Sequence, residues 1–437
     1  MKIRNKITPA AKLLLGIAIV LLAFSSCKKD NARTGGGKKV RIDSVTLQGV
    51  GITTQRITKV VAGTLVRLNG VGFTSATAIY VNGVQVSVNP AYVTETNIMM
   101  TIPSTIPYGS DVTDTTVRNT IRIVTLYDDY TYKFPILGPA PVVNDVSHSL
   151  PGVGDSFTMY GTNLRDITSI TFPGNVTLLS GQFTLSSDYK SITCIVPTGA
   201  TTTAGGIDIK GANGEGFSYN YMNHKDCIVI SAFPADGNGV YNYGSNISGT
   251  QTVAFPQTTT GTKNPVNYRM VPVTAANAPL SSTEVGGFHF HPETALTVVQ
   301  QKAPTYINGS TACNNLALQF DIYIPVQWAS GWVRVDLING NSTYRCDYAP
   351  WDVSGTIVPV TMNGWQTVTM PLSKFSALNG KTVAAAVTLL SGKDAYFEFI
   401  NNAYTDSGGA TFAGSPIPAF QIAFGNYRIV PYVKSLN

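Results

Sequence analysis

Charge is scarce in this chain: only 12 % of its 437 residues are Asp, Glu, Lys or Arg. That excludes charge-rich disordered chains and disfavours helical bundles and coiled coils, whose exposed faces are charged. No G-x-S-x-G elbow and no P-loop occurs, so the usual nucleophile and phosphate-binding signatures are missing. No pair among the five cysteines has metal-ligand spacing. The formal charge of +6 is confined to the start of the chain. Lys2, Arg4, Lys6 and Lys12 stand without an acid in residues 1–26, and Lys28, Lys29, Arg33, Lys38, Lys39 and Arg41 face only Asp30 in residues 27–41. The remainder carries a net −3, so no basic field that would grip nucleic acid is expected.

What the chain does have is glycine (41), tyrosine (21) and phenylalanine (18), the composition of a β-rich, turn-punctuated exported protein. Its length predicts several cores rather than one, with three domains as the starting expectation. Residues 1–26 read as a lipoprotein signal peptide: the basic start is followed by an apolar run from Leu13 to Phe24, ending at Ser25-Ser26-Cys27. Small residues before a lone Cys form a lipobox, with Cys27 the expected lipidation site. Residues 27–41, rich in Gly and Lys, are too polar to pack and read as a flexible tether. The Lys-Asp cluster after Cys27 resembles the surface-export signal of Bacteroidetes lipoproteins. That resemblance implies a protein lipid-anchored in the cell outer membrane and exposed outside. Of the other cysteines, Cys313 and Cys346 are the pair to test for a disulfide; buried free thiols are the alternative.

The chain repeats once. Gly63 to Phe73 has the cadence of Gly154 to Leu164: a turn glycine, an alternating strand, a second glycine (Gly70, Gly161), and an apolar residue three positions later. Ile98-Met99-Met100-Thr101-Ile102-Pro103 parallels Ile192-Thr193-Cys194-Ile195-Val196-Pro197. A period near 90 residues with short alternating strands predicts immunoglobulin-sized sandwiches. The pattern resembles IPT/TIG modules over residues 42–138 and 139–222. Gly138-Pro139-Ala140-Pro141 between them limits backbone freedom and predicts a semi-rigid stalk.

Residues 223–437 differ in composition, since all four tryptophans, Trp328, Trp332, Trp351 and Trp365, fall there within one short window. Period-two patterns at Leu316, Leu318, Phe320, Ile322, Ile324, at Val333, Val335, Leu337 and at Phe420, Ile422, Phe424 predict strands. With no amphipathic helix evident, a jelly-roll-like β-sandwich follows. The fold class expected is therefore all-β: two tandem Ig-like sandwiches, then a C-terminal jelly-roll-like sandwich.

Four segments carry a further resemblance: the run from Leu318 to Trp328, Tyr348-Ala349-Pro350-Trp351, Gly364-Trp365 through Leu372, and Phe424-Gly425-Asn426-Tyr427-Arg428. Together they look like the C-terminal domain of type-B surface glycan-binding proteins of Bacteroidetes polysaccharide utilisation loci. This implies binding of a polysaccharide, with β-glucan, xyloglucan and mannan all open. It also implies an outer-membrane transporter complex as a further partner. Flat aromatic faces stack on the C–H patches of pyranose rings while amides, carboxylates and guanidinium groups read the hydroxyls. On that chemistry the expected site is Trp328, Tyr348 and Trp351, with Trp332, Arg345 and Asp347 beside them. Trp328 is expected exposed in a loop, Trp332 on the polar side of its strand, and Trp365 structural. No motif pairs the carboxylates as a glycosidase needs, so no enzyme, cofactor or metal is expected; His289 and His291 lack a third ligand. The other reading left open is an adhesin binding a protein or cell through the Ig-like modules.

Overall fold

The structure, a computed structural model, describes residues 39–49, 55–230, 240–241, 268–272, 277–278, 286–362, 364–418 and 421–434. The signal peptide, Cys27, most of the tether and Phe420 lie outside them. Two compact units are present, Met1–Pro139 and Ala140–Asn437.

In the first unit two four-stranded sheets face each other. One holds Arg56–Ile57, Arg41–Leu47, Leu65–Val71 and Asn97–Thr101; the other holds Val84–Val86, Ala76–Val81, Thr120–Thr125 and Asp129–Lys133. Leu65–Val71 alternates strictly, burying Val66, Leu68 and Gly70, so its pleat puts one residue in two into the core. The second unit starts with the same sandwich. Its sheets are Val142–Val146, Ser156–Thr162, Ser191–Ile195, Phe183–Leu185 and Val176–Leu179, Ile167–Phe172, Asp208–Gly211, Gly214–Phe217.

The repeated glycine has a steric reason. At Gly70 an added Cβ would sit 1.9 Å from the Arg41 carbonyl oxygen, and at Gly161 1.9 Å from that of Val142. Each sits where its strand shifts register against the first strand of its module, so the backbones approach too closely for any side chain. Phe73 and Leu164, three positions on, are fully buried in both modules.

The C-terminal sandwich follows. One sheet orders Ile228–Ile230, Gln421–Pro431, Leu316–Tyr323 and Gln366–Pro371, with Tyr268–Pro272 also paired to Gln421–Pro431. The other orders Val240–Tyr241, Gly286–Phe290, Ala395–Ile400, Trp332–Asp336 and Arg345–Tyr348. Two helices, Pro292–Lys302 and Val383–Leu390, correct the expectation of none. Pro292, Ala295, Leu296 and Val299 are buried at the i, i+3, i+4, i+7 spacing of a helical stripe. The second helix is capped by Thr382, whose side chain accepts from the Ala385 N–H. All four cysteines among the described residues are free and buried, so Cys313 and Cys346 are not bonded. Burial pushes the Cys346 thiol up to about 11.

The second Ig-like module and the C-terminal sandwich share one continuous apolar core, from Val143 to Val430. A buried polar network fastens them together. Arg428 and Asp321 are both inaccessible to solvent and pair at 2.9 Å. Arg428 also donates to Ser149 Oγ of the second module at 2.8 Å and, through Nε, to Gln319 Oε1 at 3.1 Å. Thr367 donates to Asp321 at 2.7 Å, and its hydroxyl accepts from the Ser149 N–H at 3.0 Å. Burial works to raise the Asp321 carboxyl, but Arg428, His148 and their hydrogen-bonding company hold it below its ordinary value. Burial lowers the His148 pKa below its ordinary value, against the pull of Asp321.

Candidate functional site

The Trp332–Asp336 strand sorts its side chains by parity. Val333 and Val335 enter the core, while Trp332, Arg334 and Asp336 share the opposite face. Register then fixes their neighbours: Arg334 lies between Glu398 and Asp347, and Asp336 between Tyr396 and Arg345. Charges therefore alternate across the sheet. Arg334 is paired with Glu398 and, at 3.3 Å, with Asp336. Arg345 holds Asp347 with two parallel bonds of 2.8 Å, a geometry that orients both groups.

At the edge of this face opens a cleft of about 750 Å³, within the usual size of a ligand site. Arg345, Asp347, Tyr348, Asp352, Lys374, Tyr404 and Asp406 line it. Its rim is formed by two small hairpins, Asp352–Val353 with Thr356–Ile357 and Tyr404–Thr405 with Thr411–Phe412. The half-buried ring of Tyr404 rests against Trp332 (centroids 5.1 Å apart), Trp351 (5.7 Å) and Phe412 (6.3 Å). Burial first, and then the charges of Asp347, Asp352 and Asp406, push its phenol up to about 12, so it stays a neutral donor.

Of the residues picked from the sequence, the cleft brings together Arg345, Asp347 and Tyr348. The tryptophans are elsewhere. Relative exposure is 0 % for Trp328, 1 % for Trp351, 6 % for Trp332 and 2 % for Trp365. The expected open stacking face of Trp328 and Trp351 is thus corrected. The segment after the Leu316–Tyr323 strand folds back and pairs Trp328 with Val360 in both directions, at 2.8 and 2.9 Å. One carbonyl then ties the two indoles: Gly331 accepts from Trp328 Nε1 at 3.2 Å and from Trp351 Nε1 at 2.6 Å. Trp332 does lie on the polar face; its indole N–H is buried without a partner. Tyr348 packs edge-on against Trp328 at 5.8 Å, and burial together with Asp145 and Tyr160 raises its phenol well above the ordinary value.

Tyr404, Lys374, Asp352 and Asp406 were not singled out from the sequence. Tyr404 had a usable signal: it precedes Thr405-Asp406-Ser407-Gly408-Gly409, a hairpin turn with an aromatic on either side of it, Tyr404 and Phe412. His289 and His291 do not share a strand face, since His291 has left the strand to precede the Pro292–Lys302 helix. Among the described residues no group of three or more His, Cys, Asp or Glu is placed to hold a metal. Chemically, the cleft offers two tyrosines, of which Tyr404 is backed by tryptophans, with charged hydrogen-bonding groups of both signs and no concentrated charge. These features suit an uncharged, hydroxyl-rich ligand.

Residues 252–431 match the family described as the surface glycan-binding protein B xyloglucan binding domain. The chain resembles type-B surface glycan-binding proteins. An IPT/TIG domain-containing protein of Bacteroides ovatus is 22 % identical over 445 residues, 85 % of this chain and 88 % of that relative. In fold, the surface glycan-binding protein PbSGBP-B of Prevotella bryantii matches with a TM-score of 0.63 at 18 % identity, over 90 % of this chain and 99 % of its own. SGBP-B from a complex xyloglucan utilization locus of Bacteroides uniformis gives 0.46 at 16 % identity, over 90 % and 99 %. In fold, the likeness to PbSGBP-B extends over the Ig-like modules as well as the C-terminal sandwich.

Proposed function

We propose that the protein is a non-catalytic, surface-exposed lipoprotein of the outer membrane, anchored through acylated Cys27. It binds a polysaccharide of the xyloglucan or related β-glucan class and presents it to an outer-membrane uptake system. The observation that carries the binding assignment is the cleft in which Tyr404, backed by Trp332 and Trp351, faces Asp347, Asp352 and Asp406. A pyranose ring stacks on Tyr404, and the carboxylates, Arg345 and Lys374 read its hydroxyls. In this reading Trp332 and Trp351 act by holding the Tyr404 ring, and Trp328 by holding Tyr348. Xyloglucan is favoured because that sugar is in the description of the matched family. Binding is favoured over catalysis because Asp347 is tied to Arg345 by two hydrogen bonds, which suits a fixed acceptor better than a group that must trade protons.

Intact cells carrying the protein are expected to retain fluorescently labelled xyloglucan, and external proteinase should abolish the retention. Cells with Cys27→Ala should lose most of it, because the unlipidated protein is not held at the surface. Equal retention by cells lacking the protein would overturn the function; retention that proteinase leaves untouched would overturn the surface assignment.

A further inference from the structure

A second cavity, of about 390 Å³, lies where the second Ig-like module meets the start of the C-terminal sandwich. Thr201 comes from the module, Asn223 to Asp226 from the turn that leaves it, and Tyr306 from the segment after the Pro292–Lys302 helix.

Tyr306 is 42 % exposed, yet its ring is supported. The buried His224 ring meets it at 89°, centroids 4.6 Å apart. His224 Nε2 lies 2.8 Å from the Asn220 carbonyl oxygen and donates to it. Burial lowers the His224 pKa, so the prop is an uncharged imidazole. Such an arrangement, with the aromatic held from behind and open to solvent in front, is wasteful for a core but apt for stacking.

The wall of the cavity adds polar groups. Asn223 is held at φ +61; its amide donates to the Ala200 and Thr203 carbonyls at 2.7 and 2.9 Å. Its Oδ1 is buried with no donor, a lone acceptor of the kind folded proteins seldom leave. Lys225 and Asp226 are exposed at the mouth with opposite charges. Lys225 is tied only loosely, by a 3.4 Å contact to the Thr201 carbonyl. Since those two charges cancel, the lining does not favour a phosphate or a carboxylate. One open aromatic face with an ammonium and a carboxylate beside it matches a neutral sugar ring.

We propose that this cavity is a second saccharide-binding site, taking a sugar ring of the same neutral polysaccharide that occupies the Tyr404 cleft. The inference rests on the function proposed above. Two sites on one unit make binding of a long polymer partly intramolecular, so weak sites together give firm retention.

Isothermal titration of the full chain with a short xyloglucan oligosaccharide tests it. The unmodified protein is expected to bind two molecules and Tyr306→Ala one, with Tyr306→Phe restoring two. Asp226→Ala, at an exposed position, should weaken the second event at least threefold. A stoichiometry of one in the unmodified protein, or of two in Tyr306→Ala, would overturn the second site while leaving the cleft assignment intact. If the unmodified protein bound none, the proposed function and this inference would fall together.

Discussion

Arg428→Met is expected to destabilise the Ala140–Asn437 unit by about 3–5 kcal/mol, the usual consequence of removing one partner from a buried ion pair. The change strands the fully buried Asp321 carboxylate and leaves Ser149 Oγ and Gln319 Oε1 each short of a donor. Urea denaturation of the full chain, followed by tryptophan fluorescence, reads it directly, because all four tryptophans lie in this unit. Asp321 is held below its ordinary pKa, so its contribution is complete above the normal aspartate range and is lost as pH falls through the lowered folded value. Arg428→Met should therefore also flatten the acid side of the stability profile. A loss below about 1 kcal/mol would show that the apolar core alone fastens the module to the sandwich.

Trp351→Ala is expected to lose about 3–5 kcal/mol of stability, the range for a large buried aromatic cut to a methyl group. Its indole contacts both Tyr404 and Phe412 and donates to Gly331, so the hairpin bearing Tyr404 loses its backing with it. Melting measured by calorimetry should fall well below that of the unmodified protein, and glycan affinity should fall as a consequence of the misplaced ring. An unchanged melting temperature would restore Trp351 to the exposed role its sequence suggests.

The modules were legible because their constraint is local. A strand register shift that admits only glycine leaves the same mark at Gly70 and Gly161, and alternation exposes the strands around them. Trp332 was placed on the correct face by parity alone. Trp328 and Trp351 were misjudged because burial there depends on a pairing with Val360 and on the Gly331 carbonyl, which accepts from both indoles. No spacing rule reports either contact. A window rich in tryptophan reads equally well as a platform or as the packing beneath one. The fastening of the second module to the C-terminal sandwich was hidden for the same reason: Ser149, Asp321, Thr367 and Arg428 are far apart in sequence and individually unremarked polar residues. Both helices were missed because their buried stripes are short: Pro292, Ala295, Leu296 and Val299 in one and Val383, Ala386 and Leu390 in the other.

Tyr404, carried on buried tryptophans, is the proposed stacking surface for the polysaccharide. Titration of xyloglucan into Tyr404→Ala, with melting recorded on the same sample, tests it most directly. Affinity at least tenfold weaker than that of the unmodified protein is expected, equivalent to about 1.4 kcal/mol, with melting shifted far less than in Trp351→Ala. Unmodified affinity in a folded Tyr404→Ala protein would contradict it and place the glycan elsewhere on the molecule.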